Sequence, residues 1–358
     1  MRSRPPARTA TTDRHAGDRR RRRTALRPVL AAGVSLLITS CSPAGSAGPS
    51  SAGTSVADAA ASGRVYVTNQ LDNTVSVIDA GTNKVVATVA AGVGPEGIAL
   101  APDGRHAYIA NSGSALVSVL DTRTNTIVAT VPVGASPSGV ALSPNGLTLY
   151  VTNGGSNSVS ILDTRTNRVA ATVAVGISPV SVATSRDGAV ALVANSGSGT
   201  VSVIDTHTRR VTRTLPAGRS PVGVAVNAAA SLAYVANEAT AGVSVLAPGT
   251  STITTTISLG EGPFDVALAP DDRTAYVTVL GPGAVAVIDT HSNRVSATVP
   301  VGSPGTDPFN LDVTSHAIYV TEQGAGTLTV IDQKTLKVIA TVTVGNSPYG
   351  VAVSPQRT

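Results

Sequence analysis

Cysteine is almost absent from this chain of 358 residues, in which Cys41 is the single example. One cysteine excludes an internal disulfide and the paired-cysteine sites of structural zinc. The fold must therefore be held together by packing and by backbone hydrogen bonds.

Aromatic and charged residues are scarce as well, at 3% and 13%, and tryptophan is missing. Long amphipathic helices need more charge than this, and a disordered chain would not contain 42% apolar residues. The apolar share comes mainly from Ala, Val, Ile and Leu, while glycine and proline number 35 and 22. This composition predicts an all-β fold with many turns.

The basic charge of the chain is confined to its N-terminal end. Residues 1–27 contain ten arginines against Asp13 and Asp18, whereas the rest has 16 basic and 19 acidic residues. The remainder is thus slightly acidic, and its few aromatics are not interleaved with basic residues. We expect no nucleic-acid partner.

The same end has the features of an export signal. An apolar stretch, Val29 to Ile38, is too short to span a bilayer and follows a basic region. It leads into Ile38-Thr39-Ser40-Cys41, which resembles a bacterial lipobox. We predict a lipoprotein-type signal peptide over residues 1–40, lipidation of Cys41 and attachment to the extracytoplasmic face of the cell membrane. A plain secretory signal is the alternative, and Arg22-Arg23 leaves the Sec and twin-arginine routes both open.

Residues 41–62 are mostly Ser, Ala, Gly, Pro and Thr, and Asp58 is their one charged residue. Such a segment cannot bury a core, so it is expected to act as a flexible tether.

An internal repeat fills the rest of the chain. The segment Val65-Tyr66-Val67-Thr68-Asn69 recurs at spacings of 42 residues, once 43, and its Tyr66 position is next occupied by Tyr108, Tyr150, Leu192, Tyr234, Tyr276 and Tyr319. Thirteen residues after each of these comes an Asp, except for Ala247. Every unit contains four short apolar segments separated by hairpin-length turns. The pattern predicts seven four-stranded units.

These motifs resemble the YVTN-repeat β-propeller family, which includes surface-layer-like repeats. The resemblance covers residues 63–354 and implies an all-β, seven-bladed propeller with four antiparallel strands per blade, in a domain of residues 63–358. The chain begins with a second strand at Arg64 and ends with an unpaired first strand, Gly350–Pro355. We therefore predict that the C-terminal strand completes the N-terminal blade.

Antiparallel order divides the loops between two faces, here named top (the Gly-x-x-Pro turns and the loops after Asn69 and its equivalents) and bottom (the Pro-Asp-Gly and Asp-Thr turns). Arg219 is the clear base of the top face, whose acids are predicted to be Asp72, Glu96, Glu238, Glu261, Asp265, Asp307 and Glu322. The bottom face collects Lys84, Arg105, Arg123, Arg165, Arg168, Arg186, Arg209, Arg210, Arg273 and Arg294. The top face is predicted to be acidic, although loop charges of this kind also serve solubility alone.

No catalytic constellation is recognisable in the chain. The repeat contains His106, His207, His291 and His316 in four different units, all near bottom turns, and it lacks a phosphate-binding Gly-Lys loop and a Gly-x-Ser-x-Gly elbow. The repeated Asp residues are predicted to cap their own turns.

Departures from the repeat mark a candidate site. Phe264, Phe309 and Tyr349 are the three aromatics outside the repeat position, and each follows a strand-opening proline. We predict an aromatic arc at the channel mouth, with Glu96, Asp265, Asn310 and Glu322 beside it. Aromatic faces near acids suit a small cationic or sugar-like ligand or a protein partner. Alternatively, the rings plug the channel.

Three functions remain open from the sequence. The first is a monomeric, non-enzymatic binding or interaction module that requires no cofactor. The second, by analogy with related propellers, is a lactone or ester hydrolase, in which Glu96, Asp265, Asp312 or Glu322 holds a divalent cation or acts as the general base. The candidate metal ligands are Asp265, Asp312 and Glu322. The third is a structural protein of the cell envelope, as the resemblance to surface-layer repeats allows.

Overall fold

Twenty-eight strands and two short 3-10 turns make up the structure, a computed structural model that describes residues 63–250 and 252–354. The predicted signal peptide, Cys41 and the tether lie outside these residues. No helix in the described part has the length and hydropathy to cross a bilayer.

The strands fall into four classes by their position in the blade. Innermost are β4 (Pro95–Leu100), β8 (Pro137–Leu142), β12 (Pro179–Thr184), β16 (Pro221–Val226), β20 (Pro263–Leu268), β24 (Pro308–Val313) and β28 (Pro348–Val353). Second are β1 (Arg64–Asn69), β5 (His106–Asn111), β9 (Thr148–Asn153), β13 (Val190–Asn195), β17 (Ala233–Asn237), β21 (Thr274–Val279) and β25 (Ala317–Glu322).

Third are β2 (Thr74–Asp79), β6 (Leu116–Asp121), β10 (Ser158–Asp163), β14 (Thr200–Asp205), β18 (Gly242–Leu246), β22 (Ala284–Asp289) and β26 (Thr327–Asp332). Outermost are β3 (Lys84–Ala90), β7 (Thr126–Pro132), β11 (Arg168–Ala174), β15 (Arg210–Pro216), β19 (Ile253–Ser258), β23 (Arg294–Pro300) and β27 (Lys337–Thr343). The 3-10 turns are Gly154–Ser156 and Glu238–Thr240.

Each set of four strands forms one antiparallel sheet, and the seven sheets form a ring. Blade 1 has the order β28-β1-β2-β3, in which Tyr66 of β1 pairs with Ala352 of β28. Blades 2 to 7 follow in chain order from β4 to β27. The seven-bladed all-β fold and its closure by the C-terminal strand are thus confirmed. Because residues 64–353 close the ring, this segment contains its complete core.

The core lies between blades rather than within one sheet. Tyr66 and Val77 of blade 1 belong to one buried cluster with Ile109 and Leu120 of blade 2, and six similar clusters occur in the described residues. A single blade cannot cover both of its faces, so burial of the apolar side chains requires the neighbouring blades.

Glycines near the top end of the inner strands allow the blades to converge. A Cβ at Gly350 would lie 2.5 Å from the Glu96 carbonyl oxygen, and one at Gly223 would lie 2.7 Å from the Cα of Asp265. Neither position has room for a side chain. The Pro-x-Gly pattern therefore sets how narrow the central channel is.

The repeat tyrosines join successive blades at the bottom. The Tyr234 hydroxyl donates to Oδ1 of Asn293, 2.9 Å away, in the turn of the next blade, and Tyr66 hydrogen-bonds to Thr122 in the same way. In blade 4 the tyrosine position is occupied by Leu192. The turn in the next blade has Pro248 at the position of Thr122, and proline offers no hydroxyl. The exception in the repeat thus coincides with the loss of a partner.

The repeat aspartates cap their own turns, as predicted. Asp121 Oδ1 accepts hydrogen bonds from the backbone N–H groups of Arg123 and Thr124, at 2.8 and 3.0 Å. These bonds hold the pKa of Asp121 below its ordinary value. Their role is structural.

Candidate functional site

The seven inner strands enclose a central cavity of about 360 Å³. Its wall is mostly backbone and small apolar side chains from every blade, and Phe264 and Tyr349 line it from two blades. Its polar side chains are few: Ser138, Ser181, Asp265, Asn310 and Asp312. A cavity of this size, with a few convergent polar groups, has the dimensions of a small-molecule site.

The three predicted rings lie together. The ring centroids of Phe264 and Phe309 are 4.1 Å apart, those of Phe309 and Tyr349 are 5.3 Å apart, and those of Phe264 and Tyr349 are 6.4 Å apart. They come from blades 6, 7 and 1. Edge and tilted contacts of this kind favour a stable cluster, and Phe264 and Tyr349 also face the cavity.

Tyr349 is the ring most enclosed by polar groups. Burial is the main reason that its pKa is raised, the charges of Glu96, Asp265 and Glu238 raise it further, and a hydrogen bond with Ser138 opposes the shift. Ser138 belongs to blade 3 and Glu238 to blade 5. Neither residue was predicted for the site. Ser138 occupies the same repeat position as Phe264, and this equivalence could have identified it.

Asp265 lies in the channel wall and is half-buried. Its Oδ2 accepts a hydrogen bond from the backbone N–H of Leu311, 3.1 Å away on the inner strand of blade 7. Burial raises the pKa of Asp265 to about 7, and the charge of Asp312 acts in the same direction.

Asp312 is the second carboxylate of the channel. Its Oδ2 accepts from the backbone N–H of Val353 at 2.8 Å, and its Oδ1 accepts from that of Val313 at 2.8 Å. Burial raises its pKa too. Asp265 and Asp312 are therefore two carboxylates of one cavity on neighbouring blades, and the charge of Asp312 contributes to the raised pKa of Asp265.

Asn310 and Glu96 occupy the edges of this site. Asn310 lines the cavity, and its Nδ2 donates to the carbonyl oxygen of Tyr349 at 3.1 Å, which ties blade 7 to blade 1. Glu96 lies at the top of blade 2, where Oε1 accepts from Nε2 of Gln70 at 3.0 Å. Glu96 and Phe309 are not part of the cavity wall.

Glu322 lies elsewhere, and its placement corrects the expectation that it sits beside the rings. It is 3% exposed inside blade 7, where Oε2 accepts from the Thr327 hydroxyl at 3.1 Å and Oε1 from the Thr329 hydroxyl. Burial raises its pKa. Because β25 ends at Glu322 with its side chain turned into the blade, the carboxylate does not line the channel.

The repeat explains this carboxylate. In blade 2, Asn111 Nδ2 donates to Oγ of Ser118, seven residues later, at 3.0 Å. Glu322 and Thr329 replace that pair in blade 7, and Val279 and Ala286 replace it in blade 6. These departures compensate each other within their blades.

A three-carboxylate metal site is not formed. In residues 63–250 and 252–354 no three His, Cys, Asp or Glu side chains come together as metal ligands would. The predicted set of Asp265, Asp312 and Glu322 is therefore wrong as a cluster, since only the first two share the channel. Two carboxylates in the wall of one cavity suit a cationic group.

Two family descriptions match the chain, each over less than half of it. "Lactonase, 7-bladed beta-propeller" matches residues 67–227, and "Choice-of-anchor I domain" matches residues 156–320. Both matches lie within the ring. The likeness to YVTN-repeat proteins rests on the repeat motif itself.

One curated relative matches a short part of the chain. The PE-PGRS family protein PE_PGRS18 of Mycobacterium tuberculosis is 55% identical over 40 residues, which are 11% of this chain and 9% of that protein.

Solved structures share the fold at low identity. Hydrazine synthase of Kuenenia stuttgartiensis is 22% identical (TM-score 0.66) over 72% of this chain and 88% of that chain. A functionally unknown protein of Desulfotomaculum acetoxidans is 16% identical (TM-score 0.70) over 83% and 100%. The dihydro-heme d1 dehydrogenase NirN is 16% identical (TM-score 0.61) over 86% and 83%. At these identities the likeness concerns the fold alone.

Proposed function

We propose that the propeller is a binding module whose central channel takes a small ligand with a cationic group. The observation that carries the proposal is a cavity lined by two carboxylates, Asp265 and Asp312, and bordered by a cluster of three aromatic rings. The cationic group would meet the carboxylates, and the ligand body would contact Phe264 and Tyr349. A lysine or arginine side chain of a protein partner offers the same chemistry.

Desolvation supports a cation in preference to a neutral ligand. Both carboxyl groups have raised pKa values because burial disfavours their charged forms. A cation in the channel would stabilise the carboxylates, and the rings add cation–π attraction. Sugar-like ligands remain a variant of this proposal, since Asn310, Ser138 and the rings offer hydrogen bonds and stacking.

A matched pair of compounds tests the role of charge. Choline and its neutral isostere 3,3-dimethylbutan-1-ol differ in the charge of one atom. We expect choline, titrated calorimetrically at pH 8, to bind at least about tenfold more tightly than the isostere. Equal affinities for the two compounds would contradict a cationic site, and tighter binding of simple sugars would favour the sugar-like variant.

Two matched variants locate the site. Asp265→Asn and Glu322→Gln each remove one carboxylate, but only Asp265 lines the channel. The first is expected to lower choline affinity at least about tenfold and the second to leave it unchanged. Loss of binding in both variants would point to a general effect on folding.

The match to a lactonase family over residues 67–227 favours a second candidate, a lactone or ester hydrolase. Asp265, with a pKa of about 7, would then act as a general base near neutral pH. This candidate would be supported if the protein hydrolyses an aliphatic lactone and the Asp265→Asn variant does not. A divalent cation, proposed as an optional cofactor, would show itself as a loss of that activity in EDTA.

Attachment to the membrane is proposed from the sequence. Cys41 would be lipidated, which would place the propeller at the extracytoplasmic face of the cell membrane. Cys41→Ser should then leave the membrane fraction after expression, while the unsubstituted chain remains in it. Retention of the variant in membranes would contradict the lipid anchor.

A further inference from the structure

The two faces of the ring carry opposite charge. On the top face Arg219 is accompanied by the carboxylates of Asp72, Glu96, Glu238, Glu261 and Asp307. The bottom face has more bases than acids: its bases are Arg64, Lys84, Arg105, Arg123, Arg165, Arg168, Arg186, Arg209, Arg210, Arg273, Arg294, Lys334 and Lys337, and its acids are Asp79, Asp103, Asp121, Asp163, Asp187, Asp205, Asp271, Asp272, Asp289 and Asp332.

Exposure sharpens this asymmetry. All the bottom bases except Arg64 are exposed, whereas six of the ten bottom acids are half-buried. The half-buried acids include Asp121 and Asp163, which accept hydrogen bonds from backbone N–H groups of their own turns. The side chains that project furthest from this face are therefore mostly basic.

The bases are distributed unevenly around the ring. Blade 5 has none on the bottom face, because its turns, residues 227–232 and 247–252, contain no Lys or Arg. Each of the other six blades contributes at least two bases, and blade 4, beside the gap, contributes Arg186, Arg209 and Arg210. The chain enters the ring at Gly63 and Arg64, on the bottom face of blade 1. The segment before the ring thus joins it on the basic face.

We propose that the bottom face docks on an anionic phospholipid surface. Lys and Arg side chains on a flat face are attracted to a negatively charged leaflet, and the carboxylates of the top face are repelled by it. The inference stands on the charge distribution alone and is independent of the ligand proposed for the channel. Together with an anchor at Cys41, docking would hold the acidic top mouth away from the membrane.

Vesicle sedimentation of the isolated ring, residues 63–358, tests the proposal without the arginine-rich leader. The ring is expected to sediment with phosphatidylcholine vesicles that contain 30% phosphatidylglycerol and to remain in solution with pure phosphatidylcholine. Raising NaCl from 0.05 to 0.5 M is expected to release it, because screening shortens the range of the attraction. Failure to sediment with the anionic vesicles at 0.05 M NaCl would overturn the proposal.

A matched pair of variants separates the face from net charge. Arg123→Gln removes one base from the bottom of blade 2, and Arg219→Gln removes the base of the top face. The first variant is expected to weaken vesicle binding about fivefold, the second to change it less than about twofold. Equal losses of vesicle binding in the two variants would mean that net charge alone determines binding. Equally tight binding to duplex DNA would mean that the face binds polyanions in general. Either result would overturn docking on lipid.

Discussion

The carboxylate of Asp312 accepts a hydrogen bond from the backbone N–H of Val353, 2.8 Å away, across the seam where blade 7 meets the C-terminal strand of blade 1. The other six blades have alanine at this position: Ala99, Ala141, Ala183, Ala225, Ala267 and Ala352. At this position the other blades join without a carboxylate, although Asp265 makes a comparable bond to the backbone N–H of Leu311 between blades 6 and 7. Asp312 is therefore a departure that the fold itself does not demand.

Asp312→Ala is accordingly expected to change the free energy of unfolding by less than about 1 kcal/mol at pH 7. The lost hydrogen bond is offset by the removal of a desolvated carboxylate. Urea denaturation of the two proteins measures the difference. A loss above about 3 kcal/mol would show that the seam depends on this side chain. Its structural role would then be enough to explain Asp312, without a ligand in the channel.

The stability of the ring should fall as pH rises from about 4 to about 7. The folded-state pKa of Asp265 is raised to about 7 from its ordinary value of 3.8, so the native state keeps a proton that the unfolded chain releases in this interval. The effect is on the order of a few kcal/mol. Asp312 acts in the same direction.

Asp265→Asn is the control. In this variant the free energy of unfolding, measured by urea denaturation, should fall less between about pH 4 and about pH 7. Choline affinity of the unsubstituted protein should rise through the same interval, as Asp265 ionises. If the unfolding free energy of Asp265→Asn falls with pH as steeply as that of the unsubstituted protein, the proton is bound by another group.

Truncation after Gly345 is expected to abolish cooperative unfolding. It removes β28, which exposes one edge of β1 and the open sides of two blades. Thermal unfolding followed by circular dichroism measures this. Truncation after Ser354 is the matched control, since it keeps all 28 strands and the Ser354 Oγ that accepts from the Arg64 N–H at 2.7 Å. Equal melting of the two truncated chains would show that the seam is unimportant.

Tyr234→Phe should cost about 0.5–1.5 kcal/mol of unfolding free energy, because it removes the hydroxyl that donates to Asn293 at 2.9 Å. Tyr319→Phe is its control. The turn in blade 1 has Asn83 at the position of Asn293, but no hydrogen bond joins Asn83 to the Tyr319 hydroxyl within the described residues. Urea denaturation should give a smaller loss for Tyr319→Phe, and equal losses would contradict the inter-blade role of the hydroxyl.

Glu322 shows where sequence reasoning stopped. Its repeat position correctly places it at the top end of a second strand, but position along a strand does not say which group the side chain meets. A signal was available in residues seven apart, where Asn111 and Ser118, Val279 and Ala286, and Glu322 and Thr329 change together. That pairing marks the inside of a blade, not the channel.

The sequence by itself determined the number of blades, their phase and the closing strand. Repeat spacing and turn residues act locally, and a four-stranded unit with two apolar faces can bury both only in a ring. The separation of charge between the faces follows from the same repeat.

Only the tertiary structure decided which acids share the channel. Asp265 and Asp312 lie 47 positions apart in the sequence and line one cavity because the glycine-containing inner strands converge on one axis. Glu322, ten residues after Asp312, turns into its own blade. Burial there, which no local pattern encodes, sets the pKa values on which the proposed chemistry depends.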